Sequence, residues 1–132
     1  MRRIALALAP FVLAACERPS QVLLLGANPY RDADGRVVVD VDVEGVEQSG
    51  GSVGLYCVSV HWFPPGVFRG QPAAHRYFGE VDHVVLCATD LGDGDRRTVR
   101  LPSTRTDLPP GMPARVQIRL DRAYTTQEID AP

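Results

Sequence analysis

With 132 residues the chain has the length of a single domain. Its 14 basic side chains are all arginine, which excludes a P-loop phosphate cradle and Schiff-base chemistry, since both need a lysine. The formal charge of −2 gives no electrostatic footing on a phosphate backbone, and no nucleic-acid partner is expected.

The chain begins with Arg2 and Arg3, continues as an apolar run from Ile4 to Val12, and closes this opening stretch on Leu13-Ala14-Ala15-Cys16. Basic, then apolar, then small is the order of a cleaved secretory signal peptide. The run falls short of the roughly 20 apolar residues that span a bilayer. Leu13-Ala14-Ala15-Cys16 resembles the lipobox of bacterial lipoproteins, a resemblance confined to the signal region and Cys16. It implies cleavage before Cys16, a thioether-linked diacylglycerol on that cysteine and usually a third, amide-linked acyl chain such as palmitate. Two chains already suffice for stable anchoring. Glu17 follows Cys16; in the enterobacterial version of this system an aspartate there favours retention in the inner membrane. The resemblance therefore implies a periplasm-facing protein of the cell envelope, on the outer rather than the inner membrane.

The expected organisation is a signal peptide at 1–15, a lipidated tether at 16–20, a folded domain at 21–126 and a polar tail at 127–132. Loss of residues 1–15 leaves 117 residues with 12 arginines against 16 acids, a formal charge of −4.

Along the domain, Gln21 to Gly26 reads as a short strand, and Asn28-Pro29 and Asp32-Ala33-Asp34-Gly35 as turns. Arg36 to Glu44 alternates cleanly: Val37, Val39, Val41 and Val43 share one face, Val38, Asp40, Asp42 and Glu44 the other. After a glycine-rich turn, Val53 to Phe63 puts Tyr56, Val58, Val60 and Trp62 on one face and Cys57, Ser59 and His61 opposite. Residues 64–80 are irregular. Asp82 to Thr89, Arg97 to Leu101 and Ala114 to Leu120 are the further strands, with a turn at 90–95, a proline-rich connection at 102–113, and at most one more strand around Tyr124. Six or seven short strands without a helix predict an all-β domain, a β-sandwich of immunoglobulin or fibronectin type or else an open barrel. Arginines concentrate at 96–122 and acids before them, which predicts acidic and basic strands lying side by side in one sheet.

Once Cys16 is acylated, Cys57 and Cys87 remain. Two cysteines in an oxidising compartment predict one disulfide. If strands 55–62 and 82–89 are antiparallel neighbours with Cys57 opposite Cys87, the same register sets His61 opposite His83, Val58 opposite Leu86 and Val60 opposite Val84. His61 and His83 are then a candidate half-shell for zinc or copper, with His75 or Glu80 available as a third ligand. Asp32-x-Asp34-Gly35 and Asp90-x-x-Asp93-Gly94-Asp95 lack the bidentate acid of a calcium loop and read as turns. Ser59, His61 and Asp82 suggest a hydrolase triad on paper, but no nucleophile elbow surrounds any serine, and no catalytic site or enzyme activity is expected.

The connection from Trp62 to Glu80 is long for a compact domain, as binding loops often are. Trp62, Phe63, Phe68, Arg69, Arg76 and Tyr77 are its candidate partner-binding residues, because aromatic and arginine side chains anchor interfaces; the other reading of the aromatics is a lid folded back over one end of the sandwich. The sequence thus predicts a lipid-anchored, non-enzymatic accessory or binding module that contacts a protein or glycan through loop 62–80 and needs no cofactor. A metal-binding lipoprotein using His61 and His83 is the alternative.

Overall fold

The computed structural model describes residues 19–65 and 79–132, and among these it is all-β, with no helix. The strands are β1 (Gln21–Arg31), β2 (Val37–Val46), β3 (Ser52–Val53), β4 (Tyr56–Trp62), β5 (Asp82–Ala88), β6 (Leu91–Gly92), β7 (Arg96–Pro102), β8 (Pro113–Leu120) and β9 (Ala123–Asp130). All pairings are antiparallel. One sheet runs β1-β2-β7, another β5-β4-β8-β9, and β3 pairs with β6 in a two-stranded ribbon.

Valine alternation explains β2. Val37, Val39, Val41 and Val43 are fully buried, and they join Tyr56, Val58, Val60 and Trp62 of β4 and Ala114, Val116 and Ile118 of β8 in one core cluster. β-Branched side chains suit this pleated, half-buried surface. The buried Tyr56 hydroxyl, which would be costly unpaired, accepts from Arg97 Nη1 at 2.9 Å. Close packing also fixes Gly45 at the end of β2, where a Cβ would come within 2.5 Å of the Gly92 carbonyl oxygen.

The charged face of β2 lies against β7. Arg100 Nε meets Asp40 at 2.9 Å, Thr98 Oγ1 donates to Asp42 at 2.6 Å, and Arg96 Nε meets Glu44 at 2.9 Å. Acidic and basic strands are therefore neighbours, as their sequences predict. Asp40 also raises the Arg100 pKa further, chiefly by its hydrogen bond. Such exposed pairs contribute little stability but agree on one register.

Three expectations are corrected. Asn28-Pro29 is not a turn but lies within β1, with Pro29 opposite Val39. β1 is an edge strand, where proline's missing N–H can face away from the ladder. The ladder slips once, between Leu24 and Gly26. The presumed tail from 127 continues β9 through Asp130, and Ala131 is buried, its N–H bonded to the Met112 carbonyl at 2.8 Å. Finally, the turn at 90–95 contains β6. The Asp32–Gly35 segment is a turn as predicted: Asp32 Oδ1 accepts from the Asp34 and Arg36 amides at 2.9 and 3.0 Å, and Gly35 adopts a φ of +87°.

The register separates two poles. Ser20, the start of β4 and the β8–β9 hairpin tip lie at one end, while Trp62, Asp82 and Pro113 lie at the other. Seven-residue β4 spans about 20 Å between them.

Candidate functional site

The outer face of the four-stranded sheet carries the polar side chains of β4 and its neighbours. Because successive residues alternate, Cys57, Ser59 and His61 share this face of β4. The ladders set them in three cross-strand rows: His83, His61, Arg115 and Glu128; Val85, Ser59, Gln117 and Thr126; Cys87, Cys57, Arg119 and Tyr124.

The predicted register holds. Cys57 faces Cys87 and His61 faces His83, and Val58–Leu86 and Val60–Val84 pair as expected. The disulfide forms between Cys57 and Cys87 across a Cα separation of 4.0 Å. It thus ties adjacent strands of one sheet rather than the two sheets. Val58 and Val60 are buried, but Leu86 is 48% exposed because β5 is the sheet edge.

Polar groups at the centre of this face are shielded. Ser59, His61, Arg115 and Gln117 are each 5–6% exposed. Buried polar atoms require partners, and Glu80, just before β5, supplies one to His61. Its Oε2 lies 2.7 Å from His61 Nδ1 and its Oε1 2.8 Å from His83 Nδ1. The two imidazoles stack with centroids 5.8 Å apart and planes inclined by 13°. His61 Nε2 lies 3.0 Å from Ser59 Oγ. Arg115 Nη2 reaches Glu128 at 3.5 Å, and buried Gln117 Oε1 has no hydrogen-bond partner among the described residues.

With Glu80 ionised, each Nδ1–H donates to the carboxylate, and the His61 Nε2 lone pair accepts from the Ser59 hydroxyl. Serine, histidine and acid therefore stand in the order of a nucleophilic relay, with Glu80 where the sequence suggests Asp82. Asp82 instead accepts hydrogen bonds from the Thr104 hydroxyl and from the Thr104 and Arg105 amides, the last two at 2.8 and 3.3 Å, and so caps the connection after β7. Nearby, Arg105 lowers the Asp107 pKa through its hydrogen bond. The relay geometry does not make Ser59 a nucleophile. Its hydroxyl is shielded, and β4 is laddered on both sides, so the neighbouring backbone N–H groups are spent on the sheet and cannot form an oxyanion hole.

The same contacts bear on metal binding. Both histidine Nδ1 atoms are committed to Glu80, and among the described residues no three His, Cys, Asp or Glu side chains are arranged to hold an ion. What the cluster does is clasp: one carboxylate joins the stem of the 62–80 connection to two strands. Glu80→Ala should cost about 1–3 kcal/mol by taking the carboxylate from a buried imidazole. The shift of the urea midpoint reads this directly.

Among the predicted partner-binding residues, Trp62 and Phe63 are corrected. Trp62 is 1% exposed and belongs to the core, and Phe63 is fully buried, its N–H donating to the Pro113 carbonyl at 2.9 Å. Alternation along β4 already points Trp62 inward. Phe68, Arg69, Arg76 and Tyr77 fall outside the described residues, as does Cys16. Both stems of the connection are described: the Val81 amide donates to the Trp62 carbonyl at 2.9 Å, at the pole opposite Ser20.

No protein-family model matches the chain, and a search of curated proteins gives no match. Among solved structures, DesR, a β-glucosidase from Streptomyces venezuelae determined in complex with D-glucose, aligns with 86% of this chain at 15% identity and a TM-score of 0.51. The chain spans only 15% of that protein's length, and the likeness is one of fold alone.

Proposed function

We propose that this chain is a lipid-anchored lipoprotein of the bacterial cell envelope, periplasm-facing and on the outer membrane, whose β-sandwich of immunoglobulin or fibronectin type serves as a non-enzymatic binding module. Acylation at Cys16 would hold one pole at the membrane. The connection between Trp62 and Glu80 would present Phe68, Arg69, Arg76 and Tyr77 to a protein or glycan partner.

The observation that carries this reading is the opposition of the poles. Ser20, four residues after Cys16, and the two stems of the connection lie at opposite ends of β4, about 20 Å apart. A domain tethered at one end would hold its longest connection away from the bilayer, where a partner can reach it. The shared core of the two larger sheets supports the sandwich.

Two measurements test it. The Cys16→Ser variant should move from the membrane fraction to the soluble periplasmic fraction, and retention on membranes defeats the anchor. Affinity capture of the tagged full-length protein from its own host should recover a partner that a Phe68→Ala/Tyr77→Ala variant loses while remaining folded. Undiminished recovery with that variant defeats the loop assignment.

A further inference from the structure

The pole nearest the tether has a surface of its own. A cleft of about 1040 Å³ opens there, lined among others by Pro19, Ser20, Leu55, Arg119, Leu120 and Arg122. Leu55 is 62% exposed and Tyr124 47% exposed, although both are large apolar side chains. The two-residue tip between β8 and β9, with Asp121 at a φ of +58°, places Arg119 and Arg122 on either side of Asp121, and both line the cleft. The Arg119 guanidinium lies 5.8 Å from the Tyr124 ring centroid, and its Nε donates to the Asp121 carbonyl at 3.3 Å. Asp121 is the one carboxylate among the described residues lining the cleft, against two guanidinium groups.

We propose that this pole is a seat for membrane phospholipid, with Arg119 and Arg122 binding headgroup phosphates and Leu55 entering the boundary with the acyl chains. The proposal rests on the anchoring reading above. Three residue steps separate Cys16 from Pro19, which limits their separation to about 11 Å even when fully extended. An acylated Cys16 therefore brings the cleft to headgroup depth whatever path the tether takes. At the exit the Ser20 hydroxyl donates to Glu47, a bond that also lowers the Glu47 pKa. Arginine with exposed leucine and tyrosine is the composition that settles at a bilayer interface, the guanidinium remaining among phosphates while apolar atoms sink below. Seated this way, the domain stands upright on the membrane instead of swinging on its tether.

The test uses full-length protein purified from membranes and reconstituted into phosphatidylethanolamine–phosphatidylglycerol vesicles containing brominated acyl chains. A tryptophan is introduced at the seat by L55W or at the opposite pole by T106W, where Thr106 lies beside Gly35 and follows the Thr104 and Arg105 amides that bond Asp82. The native Trp62 is a constant buried background in both. L55W emission should fall about twofold or more relative to unbrominated vesicles, because an interfacial residue lies within about 5–10 Å of the acyl boundary. T106W emission should not change. Adding R119A/R122A to L55W should relieve the quenching while far-UV circular dichroism stays native. Intact mass showing acylated Cys16 together with equal quenching of L55W and T106W overturns the seat and leaves the anchor standing. Unmodified Cys16 overturns both.

Discussion

Replacement of Trp62 by alanine should leave the domain at the edge of unfolding. The side chain is 1% exposed and heads the fully buried residues by volume. It closes the distal end of β4 opposite Asp82 on one side and Ala114 on the other. Truncating a buried aromatic costs about 3–5 kcal/mol, from lost transfer energy plus the cavity that the neighbours cannot fill. A domain of this size has about 5–15 kcal/mol in total. Urea unfolding followed by far-UV circular dichroism should therefore show a much lower midpoint, and Trp62→Phe a smaller shift. An unchanged midpoint for Trp62→Ala would mean that the indole lies outside the core, where it could serve an interface after all.

The reason Trp62 reads two ways shows what the sequence encodes and what it leaves open. Period-two alternation specifies β2, β4 and β8 because each has one buried apolar face; β7 is legible because Val99 and Leu101 alternate with arginines. The β4–β5 register was legible because cysteine, histidine and two apolar pairs agree on a single alignment. Elements without that asymmetry were not legible. All eight residues of β9 are exposed or half-buried, five of them polar, and the strand is held by backbone pairing to β8, so it carries no apolar signature. The second half of β1 contains a proline that only edge placement permits. β3 and β6 are two residues each, too short for any period.

The site was half legible for the same reason. Facing histidines follow from the β4–β5 register, but Arg115 and Gln117 enter only once β8 is known to flank β4, and sheet order is not a local property. Glu80 was visible as a possible third ligand, three residues before His83. Its role as the carboxylate bridging both rings depends on the path of the chain into β5, which alternation does not report. Outward-facing serine, histidine, arginine and glutamine on a central strand pair read as solvent-exposed by pattern, whereas in the fold they are buried. Pattern reports which face a side chain occupies, and only tertiary structure reports what covers that face.

Removal of the disulfide, by Cys57→Ala/Cys87→Ala, should produce the second large loss. The bridge closes a loop across a sequence separation of 30 residues, and constraining such a loop in the unfolded chain is worth about 3–4 kcal/mol in the chain-entropy model. Its position concentrates the effect. β5 pairs with β4 alone and leaves Val85 46% and Leu86 48% exposed, so side-chain burial holds it weakly. The ladder, the Glu80 clasp on His61 and His83, and the bonds from Thr104 and Arg105 to Asp82 are its other restraints, and all require β5 to lie already in register. The double variant should thus show a lower urea midpoint and, under native conditions, faster amide exchange in β5 than in β2 or β8, since locally weak elements open below the global threshold. Fraying there would release Glu80 and with it the returning stem of the 62–80 connection, and under the proposed function capture of a partner should weaken before the core unfolds. Uniform loss of protection across all strands, or an unchanged midpoint, would show that the ladder alone secures this edge.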